Sequence, residues 1–295
     1  VPADIRIDTI DPLADIVISL GEKTEPGITS DTTPETTPGT RTPGWAIAAT
    51  EAFSIQTGQR STLEQSLGSD ELKTLTTYLP YALLPCFAAR HQRTFAISHF
   101  AQTLDGRIAT HNGDSRWVGN QENLLHAHRM RALCDAILIG ANTLRRDQPR
   151  LTVRHVKGDN PLRVVIGNGA VCDNHECDDG MLHIQTRHSP GTCNANCAHL
   201  SVPSAGDTLD CPAILQALYQ RGIQSVYIEG GARTTSAFLQ QQMIDQVQVH
   251  IAPRILGSGL SGFALGKIDA MNQAMDFRNP RFVPVGDAVM FIGEK

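Results

Sequence analysis

Aromatic residues are scarce in this chain of 295 residues: two tryptophans, four tyrosines and nine phenylalanines, 5% in all. Positive charge is not in excess either, since the formal net charge is −5. That balance argues against bulk electrostatic binding to nucleic acid, although a few arginines in one pocket still suffice for a small anion. No apolar run approaches the roughly 18 residues that a membrane span needs. The opening Val1-Pro2-Ala3-Asp4 has neither the basic start nor the apolar stretch of a secretory leader. A cytoplasmic protein that engages neither membrane nor nucleic acid is therefore expected. The seven cysteines show no two-residue spacing. Cys172 with Cys177 and Cys193 with Cys197 are poor metal pairs, so reduced thiols and no metal site are expected. No Gly-x-Gly-x-x-Gly opens a helix directly after an expected strand, which speaks against a standard Rossmann domain.

What is present divides near residue 94. Residues 24–44 hold eight threonines and four prolines, too little apolar surface to offset ordering entropy, and read as a linker or long exposed loop. Strand-like Asp15–Leu20 precedes it, and Leu63–Tyr78 follows with helical spacing of Leu63, Leu67, Leu72 and Leu75. From residue 94 short apolar strands alternate with helices. Strands are expected at 94–98, 135–140, 163–166, 225–228 and 246–252, and helices at 122–133, 211–221 and 233–242. This alternation predicts an α/β sheet with helices on both faces.

Two loops have the chemistry of anion cradles. Glu229-Gly230-Gly231 leaves a strand and opens a helix, where amides and the positive helix end favour negative charge. The same dipeptide also suits a plain strand-to-helix turn. Gly140-Ala141-Asn142-Thr143 likewise follows a strand. Two such loops at sheet ends suit a cofactor with separated phosphates. Arg131 shares a helix face with Leu124 and His128, as a snorkelling stem or an anion ligand. Arg154 ends the alternating Leu151-Thr152-Val153-Arg154; guanidinium groups bind phosphate by paired donors. Trp117, in a polar loop, is either a packed lid or a stacking platform.

Taken in order, Thr103-Leu104-Asp105-Gly106-Arg107-Ile108-Ala109, Gly113-Asp114-Ser115-Arg116-Trp117, Arg131 to Gly140, Asp147-Gln148-Pro149-Arg150-Leu151-Thr152-Val153-Arg154 and Glu229-Gly230-Gly231 resemble the reductase domain of riboflavin biosynthesis. That family comprises pyrimidine reductases with a dihydrofolate-reductase-like fold, and the resemblance covers residues 94–293. It implies a mixed, mostly parallel sheet, a reductase domain over 94–295, and a separate N-terminal region over 1–93. It further implies NADPH on the two glycine loops, with Gly140, Asn142, Thr143, Gly230 and Gly231 in contact. Thr103, Asp105 and Gly106 then line the nicotinamide side, with Trp117 as a wall. Ser115, Arg131, Leu151 and Arg154 match positions that hold the substrate's ribose phosphate, with Asp147 and Gln148 near its hydroxyls. The implied reaction reduces a ribosylaminopyrimidine 5′-phosphate to its ribityl form in a homodimer, with Asp105 or Glu229 biasing proton placement.

The chain departs from that pattern at three places. Gln148 replaces a second acid, and His99 stands where some relatives carry a substrate-facing lysine. In bifunctional relatives a zinc deaminase precedes the reductase, but Pro85-Cys86 here lacks its second cysteine and residues 1–93 contain no His-x-Glu. The N-terminal region is thus not expected to deaminate. Two alternatives stay open: a diverged paralogue that reduces a pterin or another heterocycle, and a non-catalytic ligand-binding scaffold.

Overall fold

The structure is a computed structural model that describes residues 77–116, 118–168, 180–186, 198–205 and 208–295, with Thr74 and the backbone of two short strands near the N-terminus. Those two, Ile5–Ile7 and Ile18–Leu20, pair antiparallel. The Thr/Pro-rich stretch, most of the expected Leu63–Tyr78 helix, Trp117, and Cys172, Cys177, Cys193 and Cys197 lie outside the described residues. Among the described residues no helix is long and apolar enough to cross a membrane.

In chain order the main elements are α1 (Leu84–His91), β1 (Phe95–Thr103), β2 (Arg107–Ala109), α2 (Gln121–Leu133), β3 (Ala136–Gly140), α3 (Ala141–Asp147), β4 (Leu162–Ile166), β5 (Met181–Thr186) and β6 (Ala198–Val202). They continue with α4 (Cys211–Tyr219), β7 (Ser225–Ile228), α5 (Ala232–Gln240), β8 (Gln246–Ala252), β9 (Arg278–Val285) and β10 (Ala288–Glu294). Nine strands form one sheet in the order β9-β10-β8-β1-β7-β3-β4-β5-β6. From β8 to β6 all pairs are parallel. The C-terminal hairpin β9–β10 adds antiparallel to β8. The expected mixed, mostly parallel sheet flanked by helices is what the chain forms.

Strand alternation assigns the helices to faces. Ala136, Leu138, Val164 and Val226 pack with Ile214, Leu215 and Leu218 of α4 and Phe238 and Leu239 of α5. On the opposite face Ile137, Ile139 and Val165 meet Ala141 and Leu144 of α3. On that same face Ile97 and Tyr227 share a cluster with Leu84 and Phe87 of α1 and Met130 and Leu133 of α2. Each fully buried Leu or Ile contributes about 1.5–3 kcal/mol. Tyr81, in the 3-10 turn before α1, belongs to the last cluster too. Residues ahead of position 94 therefore complete the core of the sheet domain.

Sequence and structure agree closely for α2, β3, β7 and β8, whereas β5, β6 and the β9–β10 hairpin carried no recognisable period. The connection Leu151–Arg154, read as an alternating segment, forms no strand. Instead Gln148 (φ 44°) and Leu151 (φ 55°) adopt the left-handed conformation that L-residues rarely take.

The face covered by α1 and α2 is unusually polar. Tyr78 Oη and His126 Nδ1 lie 2.7 Å apart, and His126 Nε2 lies 2.8 Å from Gln248 Oε1. Gln248 Nε2 donates to Tyr81 Oη at 2.7 Å, and Tyr81 in turn donates to Gln246 Oε1 at 2.7 Å. His99 stacks on Tyr227 with centroids 5.6 Å apart. Burial holds the imidazoles neutral: His99 and His126 are pulled down to about 3 and His128 to about 4, from an ordinary 6.5. Below pH 6.5 the unfolded chain takes up protons that the folded one refuses. Stability is therefore full above 6.5 and falls as pH drops towards 4, at about 1.4 kcal/mol per pH unit for each such group. Urea denaturation should show a midpoint at pH 5 well below that at pH 7, a loss on the order of several kcal/mol. Equal midpoints would contradict neutral burial of these rings.

Candidate active site

Parallel strands deliver their carboxyl ends to one side of the sheet, and ligands of such sheets bind there. At the ends of β3, β4 and β7 lies a cleft of about 950 Å³. Gly140, Asn142 and Thr143 line it together with Glu229, Gly230 and Gly231. The two loops singled out in the sequence therefore meet in one cleft. Ser115 and Asp147 line it as well. A second cavity of about 340 Å³ opens between β1 and the first turns of α2, lined by His99, Phe100, Ala101, Asn120, Asn123 and Leu124 among others. Glu229 and Gly230 border both spaces.

The helix starts at the larger cleft differ from those of α2 and α4. Asn120 caps α2 by accepting from the Asn123 amide at 2.8 Å, and Asp210 caps α4 from Ala213 at 2.9 Å. The caps of α3 and α5 are Gly140 and Gly231, which supply no side-chain acceptor. At the start of α5 the Thr234 amide donates to the Gly231 carbonyl at 3.0 Å, which leaves the amides ahead of it without a side-chain cap. Thr234 wedges the two loops together. A Cβ on Gly140 would stand 2.9 Å from Thr234 Oγ1, and one on Gly230 would stand 2.6 Å from Thr234 Cβ. Part of the glycine requirement is thus internal packing.

Glu229 is held from behind. Arg131 Nε and Nη2 donate to Glu229 Oε1 and Oε2 at 2.7 and 2.6 Å, and Arg131 Nη1 donates to the Thr152 carbonyl at 3.2 Å. Both side chains are largely buried, with 11% and 16% exposure. The Arg131 pKa is raised by the Glu229 carboxylate against an opposing desolvation. This ion pair changes the reading of Arg131, whose donors go to protein acceptors; it lines neither cavity. Arg154 is exposed, lines neither cavity, and donates from Nη1 to Thr152 Oγ1 at 2.8 Å. The expected guanidinium pair facing a phosphate is not assembled. Leu151 buries its side chain in the cluster with Ile137, Ile139 and Leu144, so only its backbone is left for a ligand. Gln148 is exposed and ends α3 in the left-handed conformation.

Thr103, Asp105 and Gly106 line neither cavity but build the turn beside them. Thr103 Oγ1 donates to Asp105 Oδ1 at 2.6 Å, and the amides of Leu256 and Gly257 donate to the same carboxylate at 3.1 and 2.7 Å. These hydrogen bonds, Thr103 first, draw Asp105 down to about 2. A carboxylate so stabilised is a loop clamp and a poor proton donor at neutral pH. His99 lines the smaller cavity, with Nε2 3.0 Å from Asn123 Oδ1.

Several lining residues went unnoticed in the sequence: His111, Arg145, Arg146, Asn168, Arg233 and Thr234 in the larger cleft, and Asn120 and Asn123 in the smaller. Arg233 was legible, since it falls in the first turn after the double glycine. Arg146 was not, because only the fold brings its Nη2 to the Asn112 carbonyl, 3.1 Å away.

Comparison with known proteins follows this geometry. Residues 94–282 match the RibD C-terminal domain family. The riboflavin biosynthesis protein RibD of Synechocystis sp. is 31% identical over 219 residues, 70% of this chain and 59% of that protein. The 2,5-diamino-6-ribosylamino-4(3H)-pyrimidinone 5′-phosphate reductase of Methanothermobacter thermautotrophicus is 34% identical over 174 residues, 56% of this chain and 80% of the relative. Among solved structures, the Thermotoga maritima diaminohydroxyphosphoribosylaminopyrimidine deaminase/5-amino-6-(5-phosphoribosylamino)uracil reductase is similar, with a TM-score of 0.61 and 26% identity. That similarity covers 76% of this chain and 62% of the Thermotoga chain. The chain spans less than two-thirds of the length of the RibD proteins it matches first, 59% and 58%.

The Thr234 wedge predicts a non-additive pair. Gly140→Ala alone should cost about 1–3 kcal/mol through overpacking, whereas adding Thr234→Ala removes the offending oxygen and should recover most of the loss. Thermal denaturation of the four proteins of this cycle checks it; strictly additive losses would reject the wedge.

Proposed function

The chain belongs to the RibD C-terminal domain family, and from that premise we propose that it reduces a ribosylaminopyrimidine 5′-phosphate to the ribityl compound with NADPH, within riboflavin biosynthesis. The observation that carries this reading is the shared border of the two cavities. A donor in the larger cleft and an acceptor in the smaller one would meet at Glu229 and Gly230.

The larger cleft fits a reduced dinucleotide on three counts. Two strand-to-helix loops line it, the helix starts there carry glycine caps, and Arg145, Arg146 and Arg233 supply positive charge. A Cβ at Gly231 would meet only Thr143 Oγ1 at 3.7 Å, so that glycine leaves open backbone at the cleft. Gly140, Asn142, Thr143, Gly230, Gly231 and Arg233 would hold the cofactor, while Thr103, Asp105 and Gly106 stiffen the neighbouring turn. The nicotinamide supplies hydride. The rest is positioning by this chain.

The smaller cavity has the chemistry of a site for an uncharged heterocycle. No lysine or arginine lines it, His99 is held neutral, and Gln121 and Asn123 bring side-chain amides to its wall. Ring opening of a ribosylamine exposes an electrophilic C1′–nitrogen double bond, and hydride addition there needs no nucleophile or metal from the protein. Arg131 fixes both oxygens of Glu229 at that border, where the carboxylate orients the substrate's polar hydrogens. In the larger cleft Ser115 stays available to phosphate and Asp147 to sugar hydroxyls. Arg154 keeps a place in the substrate site only if its exposed side chain turns inward on binding.

A second reading, a reductase for another neutral heterocycle, is favoured by His99, which brings no charge to the position where some relatives carry lysine. Exposed Ile255 (78%), Met271 (85%) and Phe282 (65%) support a homodimer, which light scattering would register.

The test is NADPH oxidation in the presence of 2,5-diamino-6-ribosylamino-4(3H)-pyrimidinone 5′-phosphate and, separately, 5-amino-6-(5-phosphoribosylamino)uracil, with a pterin panel beside them. Oxidation with a ribosylaminopyrimidine phosphate and no pterin is the expected result; turnover of a pterin instead would select the second reading. Arg233→Ala should weaken NADPH binding about tenfold, with a smaller effect at high salt. Unchanged affinity would remove Arg233 from the cofactor site.

A further inference from the structure

The segment that follows α3 has an odd backbone and an odd set of restraints. Gln148 and Leu151 take the left-handed conformation, and no strand or helix supports residues 148–154. Three successive main-chain groups are instead held by side chains. The Thr152 carbonyl accepts from Arg131 at 3.2 Å, the Val153 amide donates to Asn160 Oδ1 at 2.8 Å, and the Arg154 amide donates to His128 Nδ1 at 2.9 Å. Arg131 and His128 lie one turn apart on α2 and strap the segment to that helix.

His128 is buried without exposed surface, and its Nε2 has no hydrogen-bond partner among the described residues. Because Nδ1 accepts an N–H, the ring proton must sit on Nε2. A buried N–H left without an acceptor is costly, and an apolar ring of similar size would avoid that cost. What an apolar ring cannot supply is the acceptor for Arg154. His128 stacks edge-on with His155, centroids 4.6 Å apart, which fixes the ring plane.

We propose that His128 is a positioning residue for the reaction site: by accepting the Arg154 amide it fixes the 152–154 segment, whose Thr152 carbonyl steadies Arg131, which in turn orients Glu229 at the border of the two cavities. The inference rests on the reading of that border as the place of hydride transfer. Protonation of Nδ1 would abolish the contact, and burial prevents it by holding the ring down to about 4.

Two variants separate the acceptor from the volume. His128→Phe keeps a flat ring and removes the acceptor; His128→Asn returns an acceptor oxygen near the Nδ1 position. With the pyrimidinone 5′-phosphate above as substrate, His128→Phe should lose about tenfold or more in kcat, with NADPH affinity unchanged, and His128→Asn should recover most of that loss. Native kcat in His128→Phe, or equal losses in both variants, would overturn the proposal. Should the Phe variant fail to fold, imidazole ¹⁵N resonances of the native protein at pH 7 still decide. An Nε2–H tautomer is expected, and an Nδ1–H tautomer overturns the contact. Failure of the native protein to oxidise NADPH with both this substrate and 5-amino-6-(5-phosphoribosylamino)uracil would instead sink the functional reading, while the tautomer still judges the His128–Arg154 bond.

Discussion

The buried ion pair between Arg131 and Glu229 joins three parts of the chain at one point. Arg131 comes from the last turn of α2, Glu229 from the residue after β7, and the Thr152 carbonyl from the irregular segment beyond α3. Two donors meet two carboxylate oxygens, the fork geometry that makes an arginine–carboxylate contact directional as well as strong. Removing one partner from a fully buried pair costs about 3–5 kcal/mol, and less is expected here because Glu229 borders both cavities. The magnitude says less than the geometry. Glu229 cannot drift between the two cavities while Arg131 grips both of its oxygens.

Around that pair the molecule separates two kinds of interior. The face beneath α4 and α5 is apolar, with Ile214, Leu215 and Leu218 in one cluster with Ala136, Leu138, Val164 and Val226. The face beneath α1 and α2 carries Tyr78, Tyr81, His99, His126, Gln246 and Gln248 in one connected set of hydrogen bonds and ring contacts. Aliphatic packing tolerates small slips; a network of directional bonds does not, since a single lost partner leaves a buried polar group unsatisfied. The smaller cavity opens from this polar face. Its walls are set by bonds that specify one arrangement, which suits recognition of a heterocycle by donor and acceptor position.

How much of this was legible in the sequence depends on the range of the interaction. Gly140 and Gly230 with Gly231 were found because turn chemistry is local: a strand, a glycine and a helix start lie within a few residues. The sheet class followed from periodicity for the same reason. For Arg131 the local pattern offered a snorkelling stem or an anion ligand, and it does not name Glu229, which lies 98 residues away. Leu151 was read as a site residue, yet its side chain belongs to the core while its backbone makes the turn. Strand β9 was invisible since Pro280 and Pro284 interrupt it, a composition tolerated only at a sheet edge, which is where it sits. Trp117 and the Thr/Pro-rich stretch fall outside the described residues, so their readings stand as sequence expectations.

The distribution of charge around the border then constrains how two ligands can lie. Arg145, Arg146 and Arg233 all belong to the larger cleft, together with the glycine-capped starts of α3 and α5. The smaller cavity has one formal charge on its wall, Glu229, and that charge is already matched by Arg131. An anionic group in the smaller cavity would have to give up its hydration without gaining a cation, which costs several kcal/mol. That contrast fits phosphates in the larger cleft and an uncharged ring in the smaller one. Under the proposed function, a phosphorylated substrate would straddle Glu229 and Gly230, with its sugar at the border. The chain's overall charge of −5 plays no part in this, because the sorting happens over a few ångströms where local donors outweigh the distant field.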